Sequence, residues 1–270
     1  VDRLDLIIIK LLLKNSRISY YELAKSLGVS VNTVRLRIKR MLELNIIRYT
    51  TLISLERFGY TLIYFLVRKS NNLERLSLIG KVIMLIRCLG DIFVIGIGVN
   101  NIESLELIKV LLEPSQVTLL FYKEPSPIKI SKNDLAIIRY IIENPTAKLK
   151  DIASKVGLST KTVKRRLDYL ISNNIIRFSI IIAPSKLGYI NFGLILTIKD
   201  EHVINSIYNV LGDNFLMSPV IYNNLVICIL YGESMYEIDN YYNKLKGIDG
   251  IKSIELLMPL SIEFSNKNIL

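Results

Sequence analysis

Apolar residues in the first part of the chain recur at three- and four-residue intervals. Leu4, Ile8, Leu11 and Leu12 form one such stripe, running to Asn15, and this predicts an amphipathic helix. Ser19-Tyr20-Tyr21-Glu22 has the spacing of a reciprocal capping box and opens a second helix, with Leu23, Ala24 and Leu27 facing inward and Gly28 as its stop. Ser30 then caps a third helix whose inner positions are Val34, Ile38 and Met41 or Leu42. Beyond it the β-branched run Ile46 to Ile53 predicts a strand. Two short capped helices joined through a glycine turn make a helix-turn-helix layout, and the small Ala24 lets them approach closely.

The same pattern recurs 129 positions later. Asp5-Leu6 falls on Asp134-Leu135, Ala24 on Ala153, Gly28 on Gly157, Ser30 on Ser159, Thr33-Val34 on Thr162-Val163 and Arg37 on Arg166. Asn45-Ile46-Ile47-Arg48 falls on Asn174 to Arg177, and Gly59-Tyr60 on Gly188-Tyr189. The chain is therefore a tandem duplication, and a second strand is expected over Ile175 to Ile182. Each strand makes its unit a winged or strand-extended variant.

After each helical unit the pattern turns to strands. In the first copy these fall near Tyr60 to Val67, Val82 to Leu89, Phe93 to Val99 and Val117 to Tyr122, with helices near Leu73 to Ile79 and Glu103 to Leu112. The second copy predicts a strand over Ile190 to Ile198, a helix over Glu201 to Leu211 and a hairpin from Phe215 to Tyr222 and Leu225 to Tyr231. A helix over Ser234 to Leu245 and a strand over Ile251 to Met258 complete it. The order βαββαβ is ferredoxin-like. Such a sheet carries both helices on one face, so its bare face is expected to pack on another sheet. The resulting class is α+β, in four units: 1–52 and 126–182 winged helix-turn-helix, 53–125 and 183–270 ferredoxin-like. Lys123 to Ser131, with Pro125 and Pro127, joins the copies.

Composition narrows the function. Of 270 residues, 51% are hydrophobic, which excludes a disordered chain. Two cysteines, Cys88 and Cys228, lie in apolar runs and make no disulfide framework, as expected of a reducing, cytoplasmic setting. A single histidine, His202, removes most metal sites and most Ser-His or Cys-His schemes; it is read as an exposed surface residue. Mean hydropathy is +0.38, yet the longest uncharged stretch, Asn214 to Gly232, is broken by Pro219 and Tyr222-Asn223-Asn224. It reads as a hairpin and not as a membrane span, so a soluble protein is expected. No metal or cofactor is implied. Gly96-Ile97-Gly98 lies in a strand and opens no phosphate loop, and Tyr208, Tyr222, Tyr231, Tyr236, Tyr241 and Tyr242 have the spacings of packing residues.

The net charge of +11 is concentrated. Residues 1–52 carry 10 basic and 4 acidic groups and 126–182 carry 11 and 4, whereas 53–125 carry 8 and 7 and 183–270 carry 6 and 9. Two separated basic blocks point to two docking surfaces for a polyanion. In the third helix of the first copy, Ser30, Asn32 and Thr33 at the amino end precede Arg35, Arg37, Lys39 and Arg40. The second copy has Ser159, Thr160, Lys161 and Thr162 ahead of Lys164, Arg165 and Arg166. Polar residues at the start of such a helix reach base edges in the major groove while cations neutralise phosphates. With Arg48 and Arg177 these are the expected DNA-contacting residues. Double-stranded DNA is favoured over RNA because no aromatic stacking platform accompanies them. A solvated basic face is the plainer use of any one such helix; two copies of one layout favour DNA.

These strings resemble the leucine-responsive regulator / AsnC (Lrp/AsnC) family of transcription factors. The resemblance rests on Glu22-Leu23-Ala24, Gly28, Ser30, Thr33-Val34, Arg37 and Asn45 to Arg48, and on Asp151-Ile152-Ala153, Gly157, Ser159, Thr162-Val163, Arg166 and Asn174 to Arg177. Members usually carry one copy and dimerise through the βαββαβ unit, called the RAM domain. The resemblance thus implies that this chain forms its own dimer and self-associates through those units. It also implies a small-molecule effector, such as an amino acid, near a Gly-Asp hairpin. Gly90-Asp91 is that pair in the first copy; Tyr222-Asn223-Asn224 departs from it in the second, which weighs against amino-acid sensing and leaves turn formation as the plainer use.

Proteins similar to this family include siroheme (tetrapyrrole) decarboxylases. Their dependence on pocket histidines and arginines sits poorly with one histidine and basic third helices, so an enzyme is not expected. A nonspecific architectural DNA-binding protein is the third reading. Differences between the third helices imply an asymmetric operator for a sequence-specific regulator.

Overall fold

A computed structural model describes residues 1–69, 72–113 and 115–264; positions 265–270, assigned above to the last unit, lie outside the described residues. The first head is built from α1 (Arg3–Lys14), α2 (Tyr20–Leu27) and α3 (Val31–Glu43). Each start is capped as the sequence dictates. Asp2 and Asp5 exchange backbone and side-chain bonds at α1, Ser19 and Glu22 do so at α2, and the Ser30 hydroxyl accepts from the Thr33 amide at 3.0 Å. Gly28 ends α2 at φ 65°, a left-handed conformation that a side chain would strain. Val34, Ile38 and Met41 are buried against Leu23 and Ala24 of α2 and Ile8, Ile9 and Leu12 of α1. The second head repeats this with α5 (Lys132–Glu143), α6 (Leu149–Val156) and α7 (Thr160–Ser172).

The strand that follows each third helix finds its partner in the other copy. Strand β1 (Ile47–Ile53) runs antiparallel to β6 (Ile176–Ile182), from Ile47 opposite Ile182 to Ile53 opposite Ile176. This is the strand-extended form of the head and not a hairpin wing closed within one copy. Side chains cross with it. Ile180, Ile182 and Leu187 complete the core of the first head, while Ile53 and Phe58 pack into the second. The crossing is pinned by the Ser16 amide on the Phe178 carbonyl (3.1 Å), the Ser179 hydroxyl on the Leu13 carbonyl (2.9 Å) and the Thr51 hydroxyl on the Ile141 carbonyl (2.7 Å).

The remaining strands form two sheets. One takes β2 (Thr61–Arg68), β3 (Lys81–Cys88), β4 (Ile92–Val99) and β5 (Gln116–Lys123), with α4 (Ser104–Leu111) between the last two. The other takes β7 (Ile190–Ile198), β8 (Val220–Tyr222), β9 (Leu225–Gly232) and β10 (Ile251–Leu257), with α8 (Val203–Leu211) and α9 (Met235–Lys246). The orders β3-β4-β2-β5 and β10-β7-β9-β8 are the same ferredoxin-like arrangement. Their bare faces meet: Leu66, Cys88 and Leu120 of one sheet pack against Ile195 and Leu257 of the other. Arg68 pairs with Glu255 across the contact.

Three sequence expectations are corrected. The stretch near Leu73 to Ile79 is a 3-10 helix over Leu73–Leu78, not an α-helix. The first arm of the Phe215 hairpin shrinks to Val220–Tyr222, preceded by a single bridge from Phe215 to Leu230, because Pro219 withholds an amide from the ladder. An additional strand, β11 (Pro259–Phe264), continues β10 but leaves its sheet and pairs with β3 of the other. The connection between copies is also held, the Ser126 and Ile128 amides donating to the carbonyls of Glu56 (2.8 Å) and Arg57 (3.1 Å).

The crossed packing has a measurable signature. Replacing Ile180, only 2% exposed and part of the first head's core, with Ala should cost about 2–4 kcal/mol. Hydrogen exchange should show the lost protection in α1 to α3, although the substitution lies in the second copy. Loss confined to α5 to α7 would contradict the shared core.

Candidate nucleic-acid interface

The outer faces of α3 and α7 are polar because their inner faces are fully used by the cores. On α3 the side chains of Asn32, Arg35, Leu36, Lys39 and Arg40 are exposed; on α7 those of Thr160, Lys161, Lys164, Arg165 and Asp168 are. Arg48 on β1 and Arg177 on β6 are exposed beside them in sequence. The hydroxyls at the helix starts have an internal role. Ser30 and Thr33 hydrogen-bond each other at 2.8 Å, and Ser159 and Thr162 do so at 2.9 Å, so each pair fixes the amino end of its helix. Lys39 lies 3.6 Å from Glu43 one turn on.

Two of the expected DNA-contacting residues have internal partners. Arg37 turns back to α1, where it pairs with Asp2 and with the buried Asp5, 3.2 Å away. Its counterpart Arg166 reaches the buried Asp134, with Nε 2.6 Å from the carboxylate, and the Ser131 hydroxyl at 3.2 Å. Both arginines lie at the edge of the buried face, so they tie the third helix to the first instead of presenting a free cation. Burial alone would raise the Asp134 carboxyl; hydrogen bonds from Arg166 and Ser131 outweigh it and hold that carboxyl below the ordinary carboxylate range. Asp2 is lowered chiefly by its bond from Arg37.

A third arginine, not singled out in the sequence, joins the heads. Arg17 lies between α1 and α2, and its guanidinium donates to the carbonyls of Pro145 (3.1 Å) and Ala147 (3.0 Å) in the matching turn of the other copy. It stacks over Phe178 with 3.8 Å to the ring centroid. The repeat places Thr146 at the equivalent position, so this bond is made in one direction only. No local pattern marks Arg17, since its partners are 128 and 130 residues away.

Gly90 and Asp91 are the last two residues of the three-residue turn Leu89-Gly90-Asp91 between β3 and β4, both with positive φ (79° and 54°). The Asp91 carbonyl accepts from Lys69 at 3.0 Å. Cys88 and Cys228 are buried, and burial pushes their thiols up to about 11 and about 12; neither is poised as a nucleophile at neutral pH. His202 is exposed at the start of α8. Tyr241 donates to Glu237 at 2.6 Å, whereas Tyr236 is 83% exposed. Among the described residues, no cluster of three or more His, Cys, Asp or Glu is fit to hold a metal and no helix is long and apolar enough to cross a membrane.

Comparison with known proteins agrees with the motifs. Residues 1–42 match the AsnC-type helix-turn-helix domain and residues 130–177 a winged helix-turn-helix DNA-binding domain. The transcriptional regulator Ptr1 of Methanocaldococcus jannaschii is 30% identical over 113 residues, which are 39% of this chain and 76% of Ptr1. The chain belongs to the Lrp/AsnC family. The regulatory protein AsnC of Haemophilus influenzae is 39% identical over 67 residues, 24% of this chain and 45% of that protein. This Lrp/AsnC chain thus spans about half the length of most of the curated relatives it matches. Its whole architecture is similar to that of the siroheme decarboxylase NirDL, with a TM-score of 0.52, 12% identity and coverage of 97% of this chain and 92% of that one. At that identity the likeness concerns the fold.

Two outcomes follow for the heads. Arg17→Met keeps an apolar stem over Phe178 but removes both carbonyl contacts, and should lower stability by about 2 kcal/mol in thermal or denaturant unfolding. Asp134, whose carboxyl is held low in the folded state, contributes stability that is full above the ordinary carboxylate range and is lost as pH falls through the lowered folded value. Acid unfolding below about pH 4 should therefore be less steep in Asp134→Asn, which should also be less stable at pH 7.

Proposed function

We propose that this chain is a transcriptional regulator that binds double-stranded DNA sequence-specifically through α3 and α7, acting as its own dimer on an asymmetric operator. Its working units are the heads 1–52 and 126–182, and 53–125 with 183–270 are the scaffold that joins them. The observation that carries this reading is the pairing of β1 with β6, which binds two unlike basic helices into one assembly. In a symmetric homodimer the two helices would be identical and the operator palindromic. Here Asn32, Arg35 and Leu36 stand where Lys161, Lys164 and Arg165 stand in the other copy.

Contacts are assigned to the exposed set: Asn32, Arg35, Lys39, Arg40 and Arg48, and Thr160, Lys161, Lys164, Arg165 and Arg177. Ser30, Thr33, Ser159 and Thr162 act by fixing the helix ends, where free backbone amides face a phosphate. The names of the curated relatives and the free cations on both third helices favour regulation over catalysis.

Selection of the full chain against random duplexes should return sites with two different half-sites. Recovery of palindromes, or binding equally tight on every sequence, would overturn the asymmetric, sequence-specific reading. Absorbance of the purified protein in the tetrapyrrole region would instead favour the decarboxylase alternative.

A further inference from the structure

We infer that the two heads divide their labour: α3 supplies most of the base reading through Arg35, positioned by Asn32, and through Leu36, whereas α7 acts mainly as a phosphate anchor built on Lys161, Lys164 and Arg165, so that its half-site is the less sharply defined of the two. This rests on the DNA-binding reading above and assigns different ligands, bases and phosphates, to its two halves.

The observations differ between the helices in three respects. On α3 the Arg35 guanidinium donates to the Asn32 side-chain oxygen one turn earlier, at 2.6 Å. A guanidinium held by one edge keeps its remaining donors in a fixed plane, the geometry that matches the O6 and N7 acceptors of guanine in the major groove. The bond is made before DNA arrives, so less side-chain entropy is lost on contact. Beside it Leu36 is 54% exposed. On the outer face of a reading helix a leucine of that exposure is suited to a thymine methyl.

On α7 the matching positions carry Lys161 for Asn32, Lys164 for Arg35 and Arg165 for Leu36, so hydrogen-bonding precision and the apolar contact are both lost and charge is gained. All three are exposed, and none makes a side-chain hydrogen bond or ion pair among the described residues. A lysine ammonium on a flexible stem is a point charge that neutralises phosphate without reading sequence. Further along, Asp168 replaces Lys39 and Tyr169 replaces Arg40, with the Tyr169 hydroxyl turned to the Lys129 carbonyl at 3.0 Å. An exposed carboxylate there disfavours close approach of the backbone, so the anchor is confined to the first two turns of α7.

The test measures affinity of the full chain for its selected duplex and for a scrambled duplex of equal length, over a series of salt concentrations. Arg35→Lys keeps the charge and removes the fork; it should cut the ratio of specific to scrambled affinity by about 5- to 150-fold while leaving the salt slope unchanged. The double variant Lys161→Gln and Lys164→Gln should weaken binding to both duplexes by the same factor, reduce the salt slope by about 2, and leave the ratio intact. A ratio that collapses in the α7 variant, or one that survives Arg35→Lys, would overturn the division of labour while leaving DNA binding in place. Failure of the unaltered chain to bind any duplex would overturn the DNA reading itself.

Discussion

Everything in this molecule is organised by one antiparallel contact, that of β1 with β6. A lone strand after a three-helix head has no ladder for its amides and carbonyls, and leaving them unpaired in an apolar setting is costly. Each strand satisfies the other, and because side chains alternate along a strand, the same pairing sends Ile180 and Ile182 into the foreign core. Neither head is complete alone. The consequence is that α3 and α7, on segments 129 positions apart, share one base.

Around that base the polar groups are arranged with little redundancy. Capping boxes satisfy helix starts, the aspartates of α1 and α5 take Arg37 and Arg166, and Arg17 satisfies two carbonyls of the opposite head. These internal uses decide which cations remain for a ligand. Of the basic residues on α3, Arg35 and Arg40 keep their charge outward with no carboxylate partner among the described residues, while Arg37 is drawn in. A count of arginines alone overstates the binding surface.

Duplication also permits divergence that a homodimer forbids. In a symmetric pair any change to a recognition helix occurs twice, whereas here Asn32 and Lys161, or Leu36 and Arg165, have separated. The same holds for the scaffold: β11 crosses from one sheet to the edge of the other in a single direction, and Arg17 has no counterpart at Thr146. These one-way ties fasten the two halves across a sheet contact whose apolar centre, around Leu66, Ile195 and Leu257, carries little directional information.

Much of this was legible in the order of residues. Helix starts at Ser19, Ser30 and Ser159, stops at Gly28 and Gly157, the strand order and the duplication are local or repetitive signals, and local backbone chemistry decides them. Residues 73–78 were harder: their apolar pattern fits a helical turn, but not which kind. What the sequence could not contain was the choice of partner. Arg35 and Arg37 are the same residue type two positions apart, about 200° around one helix, and only the placement of α1 makes one a free cation and the other an internal brace. Likewise β1, β6 and β11 are recognisable strands whose mates are fixed by distant backbone groups. Periodicity determines which face of an element is buried, because that depends on its own geometry; which surface buries it is decided only when the chain closes on itself, because that contact is made by residues the local pattern never touches.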